Sequence, residues 1–310
     1  MKIKVCAVIV TYNRCELLQQ CINSVLSQSH LPDCVVVVDN NSTDNTKEYL
    51  NDLKLTTLPT ELVAIHLEKN LGGAGGFYTG MQYAFKNNFD YAWLMDDDGY
   101  PEEDALEVLI SCASVNEISG PVVLTNREDQ QLSFPLRVPN SLKKIYSLSD
   151  YINIYPSRAE GVIFPFNGTL IGSNVMKAIG LPKAEYFIWG DDFEYINRSL
   201  KAGFKVNTIS KALFFHPKAS TIGHPMLFNL LFFNDPTQDV KLYCLVRNTV
   251  RNYLDYKTIV RVFAFIFKVL WFYSFTQPNL SRLKIAIYGI WDAITHNFER
   301  HKKFLKDSLN

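Results

Sequence analysis

The run YAWLMDDD occupies residues 91–98 and sets a short apolar stretch directly before three consecutive carboxylates. Comparable apolar runs occur at 5–10, 35–38, 62–67 and 122–124. Segments of helix length lie between them; residues 15–27 carry apolar side chains on one face, and residues 101–112 open with proline and acids. Strands that alternate with helices are typical of a mainly parallel sheet covered by helices. The sequence therefore predicts an α/β fold.

Polar loops follow four of these predicted strands. They read TYNR at 11–14, DNNSTD at 39–44, NLGGAGG at 70–76 and DDD at 96–98. In open α/β sheets, ligands bind at the carboxyl ends of the strands, where loops and helix N-termini meet. We therefore expect the four loops to lie side by side and to form a binding site.

The second half of the chain is patterned differently. Between residues 126 and 170 the periodicity weakens, and a helix at 191–203 then precedes strands at 205–209 and 213–215. After about residue 239 three helical segments follow, at 240–253, 259–275 and 282–298. The pattern predicts a catalytic-sized domain over residues 1–238 and a helical region over residues 239–310.

Charge is distributed unevenly along the chain. The 31 Lys and Arg balance the 31 Asp and Glu over all 310 residues, but residues 241–310 hold 12 cations against four acids, a net charge of +8. This asymmetry argues against a uniformly basic nucleic-acid binder and favours an acidic body with a basic tail. Apolar residues make up 47% of the chain, which is ordinary for a globular protein with a large core.

Two features bear on the cellular compartment. The six cysteines show neither a C-x-x-C pair nor metal-finger spacing, and no secretory leader is recognisable before the first strand, so we expect free thiols and a cytoplasmic protein.

Arg261 and Lys268 interrupt the aromatic segment 259–275, so we expect a helix that lies in a membrane interface rather than one that crosses it. A packing layer against the rest of the chain, or a dimer interface, is the alternative for this segment.

The three consecutive acids at 96–98 indicate a metal site. Carboxylates this close raise one another's pKa values unless a cation neutralises them. Hard oxygen ligands select Mg²⁺ or Mn²⁺, and a diphosphate would complete the coordination. A solvated loop with helix-capping acids is the alternative.

Three other motifs are less decisive. The glycine-rich loop matches neither the dinucleotide-binding fingerprint nor a P-loop, so it is either a close backbone approach to a ligand, with Asn70 as a side-chain contact, or a tight turn. In WGDDFE at 189–194, helix capping explains Asp191 more easily than Asp192. His216 ends a predicted strand, and a lone histidine is more often structural than a ligand.

Five motifs, taken in order over roughly residues 1–220, resemble those of family 2 glycosyltransferases of GT-A fold. They are TYNR, VDNNSTD, NLGG, the triple Asp and WGDD. The glycine-rich loop, WGDD and a later His-Pro are most similar to the branch that contains bacterial galactofuranosyltransferases and rhamnosyltransferases. The resemblance implies Asp192 as catalytic base and Asp191 and Trp189 as acceptor-binding residues. It also implies a divalent metal held by Asp96, Asp98 and His216. The implied donor-binding set is Thr11, Asn13, Arg14, Asp39, Asn41, Asn70, Gly72, Gly73, Asp96 and Asp97.

This resemblance implies an inverting, Mn²⁺- or Mg²⁺-dependent transfer of a sugar, with UDP-galactofuranose as the expected donor and dTDP-rhamnose as the alternative. The acceptor is expected to be a hydroxyl of a growing, lipid-linked surface glycan, reached from the inner face of the cytoplasmic membrane. A homo-oligomer is left open. A nucleotidyltransferase is disfavoured because the first loop lacks glycine, and a processive synthase because no Gln-x-x-Arg-Trp motif is present. A non-catalytic sugar-nucleotide-binding protein is the alternative from a different class.

Overall fold

The computed structural model describes residues 2–138, 141, 143–164, 166–218 and 223–305. The chain divides into two compact units. The first comprises Met1–Pro182 and Arg198–Ala219, and the second comprises Lys183–Asn197 and Ser220–Asn310. These units differ from the domains expected at 1–238 and 239–310, because the segment that carries WGDD groups with the C-terminal helices rather than with the sheet.

The first unit holds the large sheet and its helices. Its strands are β1 (Val5–Thr11), β2 (Cys34–Asp39), β3 (Glu61–His66), β4 (Tyr91–Asp96), β5 (Tyr100–Pro101), β6 (Glu117–Leu124), β7 (Gln131–Arg137), β8 (Lys144–Ser147), β9 (Arg158–Glu160), β10 (Asn167–Gly172) and β11 (Lys205–Phe215). Its helices are α1 (Cys15–Leu26), α2 (Thr46–Lys54), α3 (Gly72–Lys86), α4 (Ala105–Cys112), α5 (Leu148–Ile154) and α6 (Ser173–Ile179). A further helix, α7 (Asp191–Lys201), begins in the second unit.

The main sheet has the strand order β3-β2-β1-β4-β10-β6-β11-β5. Strands β3, β2, β1 and β4 are mutually parallel, and β6 is parallel to β11. Strand β10 is antiparallel to both of its neighbours, β4 and β6. This arrangement confirms the predicted α/β fold with a mainly parallel central sheet.

Two boundaries differ from the expectation. The helix predicted to open at residue 101 begins at Ala105, because Tyr100 and Pro101 pair with Phe215 and Phe214 as a short strand. The strands expected at 205–209 and 213–215 form one strand, β11, with an irregularity between Ile209 and Leu213. In both places a tertiary strand pairing overrides the local pattern.

Helix α3 lies unusually close to the sheet. A Cβ atom on Gly80 would stand 2.2 Å from a methyl group of Val8, and one on Gly76 would stand 2.4 Å from a methyl group of Val10. Real Cβ atoms do not approach that closely, so glycine is required for helix α3 to rest on β1. This contact holds the glycine-rich loop against the carboxyl end of β1.

The second unit is mainly helical. Its elements are a 3₁₀ turn (Ala184–Tyr186), the start of α7, the hairpin β12 (His224–Met226) and β13 (Leu231–Phe233), and the helices α8 (Asp239–Tyr256), α9 (Ile259–Trp271), α10 (Leu280–Thr295) and α11 (His301–Leu305). A π-helical turn, Phe272–Thr276, continues α9. Helix α8 packs against α9, α10 and α11, and Val246, Val250 and Phe272 lie in their shared core. The three predicted C-terminal helices are thus confirmed.

Helix α9 and the π-helical turn form one continuous stretch, Ile259–Thr276, with a mean hydropathy of 1.6. By length and composition this stretch could cross a membrane, and 22% of it is buried within the protein. Arg261 and Lys268 lie within this stretch, so it holds no uninterrupted apolar run of spanning length, but its mean hydropathy stays high with both cations included.

Candidate active site

The ends of the parallel strands meet as predicted. Thr11 at the end of β1 is in register with Asp39 at the end of β2, and Asp39 is in register with His66 at the end of β3. On the other side of β1, Val10 is in register with Asp96 at the end of β4. The loops 11–14, 39–44 and 96–98 therefore share one edge of the sheet.

The acidic loop is tied to the first loop by its middle residue. Asp97 is only 1% exposed, and its Oδ2 accepts a 2.6 Å hydrogen bond from the hydroxyl of Thr11. Its Oδ1 lies 2.7 Å from a guanidinium nitrogen of Arg14. Burial raises the pKa of Asp97 to about 6, although Arg14 and Thr11 act against that rise. Both Asp97 oxygens are thus engaged within the protein, and its role in donor binding stays a prediction.

Arg14 also binds the third acid of the cluster. Its other guanidinium nitrogen donates to Asp98 Oδ2 at 2.5 Å. Burial alone would raise the pKa of Asp98, but the interaction with His216 and the charge of Arg14 outweigh burial and lower it. In this structure Arg14 therefore supplies the positive charge that three neighbouring carboxylates require.

His216 lies beside the acidic loop, as the family resemblance implies. Its Nε2 is 3.4 Å from Asp98 Oδ1, a buried carboxylate oxygen. Its Nδ1 lies 2.7 Å from the carbonyl oxygen of Pro217. Burial alone would lower the pKa of His216, but the interaction with Asp98 outweighs burial and raises it. With Nδ1 donating to Pro217, loss of the Nε2 proton would leave a lone pair beside the carboxylate. A carboxylate suits Mn²⁺ or Mg²⁺, and an imidazole is an ordinary ligand of transition-metal ions.

The full predicted metal set is not assembled. Over the described ranges, no three His, Cys, Asp or Glu side chains are gathered closely enough to hold a metal ion. The structure brings Asp98 and His216 together, and the place of Asp96 beside them as a third ligand stays a prediction. Arg14, which is bound to Asp98 Oδ2, compensates the charge of the loop in this arrangement.

The second loop is braced by the first. Asn13 Oδ1 accepts from the backbone N–H of Thr43 at 2.7 Å, and the backbone N–H of Asn13 donates to Ser42 Oγ at 2.9 Å. Asn13 and Asn41 both adopt left-handed backbone conformations, with φ of 53° and 65°. Asparagine tolerates that region better than other non-glycine residues. These two predicted donor-binding residues are therefore held in defined loop conformations.

Asp39 is buried at the end of β2, and its two oxygens have different partners. Its Oδ2 lies 2.9 Å from His66 Nδ1, and its Oδ1 accepts from the backbone N–H of Ser42 at 2.8 Å. The predicted contact of Asp39 with a nucleobase or ribose is not tested by these contacts. His66 was missed by sequence reasoning because it ends an apolar strand and belongs to no motif.

The glycine-rich loop is fixed by two asparagines. Asn70 Oδ1 accepts from the backbone N–H of Gly72 at 2.7 Å, and buried Asn40 donates to the Gly72 carbonyl at 3.0 Å. Gly72 has a φ of 71°, a conformation that favours glycine. Gly73 has no neighbour within 4 Å of where its Cβ would stand. The loop is thus a turn into α3 that also leaves open space at Gly73, so both readings of the motif have a basis in the structure.

The WGDD segment lies in the second unit. Asp191 is buried at the start of α7, Asp192 is half-buried, and Trp189 is exposed. Burial and then the charge of Asp192 raise the pKa of Asp191 to about 8, and burial also raises the pKa of Asp192. Asp192 Oδ1 accepts a 2.6 Å hydrogen bond from the N–H of Phe193. Raised carboxyl pKa values of this kind are frequent among catalytic acids and bases.

The backbone before this acidic pair is strained. Phe187 and Trp189 have φ values of 65° and 61°, and Gly190 has a φ of 85°. Each non-glycine residue in such a conformation costs on the order of 1–3 kcal/mol and persists only where surrounding contacts hold it. Helix α8 supplies such contacts, and sequence reasoning did not find them.

Comparison with known proteins identifies the family of this chain. The family description "Glycosyl transferase family 2" matches residues 6–192. The chain is 33% identical to galactofuranosyltransferase GlfT1 of Mycolicibacterium smegmatis over 81% of this chain and 82% of that protein. It is 28% identical to dTDP-rhamnosyl transferase RfbF of Shigella flexneri over 67% of each chain.

Among solved structures, the chain resembles S. aureus TarS 1-349 in complex with UDP-GlcNAc. The TM-score is 0.58 at 15% sequence identity, and the match covers 97% of this chain and 84% of that one. A likeness at this identity shows the fold alone, which is GT-A. With the strand-end loops, the acidic cluster and the relatives taken together, the chain belongs to glycosyl transferase family 2 and is a glycosyltransferase.

Proposed function

We propose that the protein is an inverting, metal-dependent galactofuranosyltransferase that uses UDP-galactofuranose and extends a lipid-linked surface glycan. The observation that carries the donor assignment is the 33% identity to a galactofuranosyltransferase over 81% of the chain. That match extends beyond residues 6–192, which the family as a whole shares. Similarity restricted to the common catalytic part would favour no particular donor.

In the proposed reaction the first unit binds the donor. We assign the nucleoside to the ends of β1 and β2, where Asp39, Thr11, Asn13 and Asn41 lie at or beside the strand ends. The loop at Gly73 offers open space in which the donor could approach the backbone closely. Asp98 and His216, with Asp96, would hold Mn²⁺ or Mg²⁺. When bound, that ion would supply Lewis-acid stabilisation of the departing nucleoside diphosphate.

The WGDD segment serves the acceptor in this proposal. Asp192 takes the proton from the acceptor hydroxyl as that oxygen attacks the anomeric carbon and the bond from that carbon to the diphosphate breaks. One displacement of this kind inverts the anomeric centre. Asp191 and Trp189 orient the acceptor sugar, and the raised pKa of the carboxyl pair suits proton transfer near neutral pH.

The donor is tested with a panel of sugar nucleotides. The purified protein is incubated with UDP-galactofuranose, dTDP-rhamnose, UDP-galactopyranose and UDP-GlcNAc, each with Mn²⁺ and a lipid-linked glycan acceptor, and products are read by mass spectrometry. We expect a mass increase of one hexose with UDP-galactofuranose alone. A product with dTDP-rhamnose alone would assign the rhamnosyltransferase activity that the match to RfbF favours. If a sugar nucleotide binds but is neither transferred nor slowly hydrolysed, a non-catalytic binding protein is favoured.

We also propose that the second unit rests on the inner face of the cytoplasmic membrane. Several large apolar side chains of helices α9 and α10 and the turn between them are exposed. They are Ile259, Val260, Phe263, Phe267, Phe275, Leu280, Ile287, Trp291 and Ile294. Exposed apolar surface of this extent marks an interaction site, and aromatic side chains suit a membrane interface.

The positive charge of residues 241–310 supports membrane binding less than the number of basic residues indicates, because several of these residues are buried or paired. Arg247 is fully buried, and Arg251, Arg282 and Arg300 pair with Asp255, Asp235 and Asp292. Other cations, including Arg261, Lys284 and Lys303, are exposed. Each cation near an anionic surface adds on the order of 1 kcal/mol, so apolar contact and charge both support attachment.

The membrane proposal is tested with vesicles of phosphatidylcholine and phosphatidylglycerol. We expect the intact protein to sediment with anionic vesicles at low salt, to be partly released at high salt by screening, and to lose binding after Phe263→Glu with Phe267→Glu. Leu55→Glu is the matched control, because Leu55 is an 87% exposed apolar residue of the first unit. Retention through alkaline carbonate extraction would instead mean that Ile259–Thr276 crosses the bilayer. No binding at low salt would make the exposed face a protein interface, which light scattering would reveal as a dimer.

A further inference from the structure

Helix α8 presents a stripe of polar side chains to the segment that carries the proposed base. Asn248, Asn252 and Tyr256 are spaced four residues apart and therefore share one helix face. All three bond to residues between 186 and 194. Asn248 and Asn252 are buried, so these bonds are made away from water.

Asn248 makes the most concentrated set of these contacts. Its Nδ2 lies 3.0 Å from the carbonyl oxygens of Tyr186 and Ile188 and 2.6 Å from that of Trp189. The next residue of the stripe, Asn252, donates to the carbonyl of Gly190 at 2.8 Å. Together the two amides engage carbonyl groups throughout the strained turn that leads into Asp191 and Asp192.

The orientation of the Asn248 amide is fixed by its neighbour. Arg247 Nε donates to Asn248 Oδ1 at 2.8 Å. A guanidinium can only donate, so the amide oxygen must face Arg247 and the NH₂ group must face the three carbonyls. Arg247 Nη2 also donates to the Tyr186 carbonyl at 2.8 Å. One arginine thus orients the asparagine and holds the same turn.

The start of α7 is secured by the far end of the stripe. The hydroxyl of Tyr256 donates to Glu194 Oε1 at 2.7 Å, and Lys257 Nζ donates to Asn197 Oδ1 at 2.8 Å. Glu194 also pairs with Lys183 at 3.1 Å. The segment is therefore held on both sides of Asp191 and Asp192 by contacts within the second unit.

We infer that Asn248 is a positioning residue for glycosyl transfer, which holds the turn at 186–190 so that Asp192 can accept the acceptor proton. Helix α8 is then a working part of the acceptor site and not only a layer of the C-terminal region. This inference rests on the proposed role of Asp192. It predicts that Asn248 acts through the turn, without touching substrate.

The test is Asn248→Ala in the full-length protein, compared with Val250→Ala. Val250 is a fully buried residue of the same helix, and its truncation removes methyl groups but no hydrogen bond. We expect Asn248→Ala to lower kcat about 10-fold to 100-fold, as loss of an orienting partner does at other sites, and to leave the donor dissociation constant within about twofold. It should also shift the acidic limb of the kcat–pH profile, because the surroundings of the carboxyl pair change. Val250→Ala should do neither.

Two further variants separate the possible failures. In an Asp192→Asn background, Asn248→Ala should cost little more in kcat, because groups that act as a unit are not additive. If Asp192→Asn alone keeps activity, the proposed base is wrong. If Asp192→Asn is inactive while Asn248→Ala matches Val250→Ala in kcat and pH profile, only the positioning role is overturned. Should Asn248→Ala not fold, Asn252→Ala is the substitute, because it removes the bonds of Asn252 to the Gly190 carbonyl and the Tyr186 hydroxyl and leaves those of Asn248 in place. It should show the same shifts at smaller size, and an unchanged kcat and pH profile in that variant would overturn the inference.

Discussion

Replacing Asp192 with asparagine should lower kcat by about 10² to 10⁴, because the substitution keeps the side-chain volume and removes the only proton acceptor assigned to the reaction. Donor binding, measured by calorimetry with a UDP-sugar and Mn²⁺, should stay within about twofold, since the assigned donor residues lie on other loops. The measurement is initial rate against acceptor concentration at saturating donor.

The neighbouring carboxyl group provides the matched control. Asp191→Asn makes the same chemical change one residue away and should keep most of kcat while it raises the acceptor KM. If Asp191→Asn is the inactive variant and Asp192→Asn is near normal, the base is Asp191.

The pH dependence of kcat follows from the direction of the pKa shifts. A base works as its carboxylate, so a raised pKa moves the acidic limb of the profile to higher pH than an ordinary aspartate would give. The limb belongs to the coupled pair of carboxyl groups rather than to either one. In Asp191→Asn a single carboxyl group remains, so the limb should follow Asp192 alone, whose pKa burial keeps above that of an ordinary aspartate.

The part of the site that we assign to the donor was predictable from sequence because its signals are local. An apolar run predicts a strand, a polar loop follows it, and parallel strands bring their ends to one edge, so Thr11, Asp39 and Asp96 could be placed together without any tertiary information. The error at Pro101 has a physical cause. Proline is favoured both at the first position of a helix and at a short edge strand, and only the pairing with Phe214 decides between them.

The part that we assign to the acceptor was predictable only in part. WGDD marked the acidic pair, but the residues that hold it lie about 60 positions further along the chain, on a helix assigned to a separate region. The spacing of Asn248, Asn252 and Tyr256 is a readable signal, because residues four positions apart share one helix face and polar groups that are buried there require partners. The sequence does not indicate which residues those partners are. From sequence alone, Arg247 contributed only to the net positive charge of residues 241–310.

Replacing Asp98 with asparagine should lower kcat by about 10² or more, because the proposed metal ligand is lost and even the outer partners of metal ligands are worth 10-fold to 100-fold. EDTA should have the same effect on the unaltered protein, and added Mn²⁺ should reverse it. Mn²⁺ binding, followed through the electron paramagnetic resonance signal of the free ion in the presence of UDP, should weaken in Asp98→Asn and in His216→Ala. Asp104→Asn changes an exposed acid at the start of α4 and should alter neither binding nor rate.

Because Arg14 binds Asp97 and Asp98 in this structure, Arg14→Gln should lower kcat less than Asp98→Asn and should strengthen Mn²⁺ binding, since it removes the cation that competes for the same carboxylate. Full activity of the unaltered protein in EDTA would show that the acidic loop and Arg14 act on the donor without a metal.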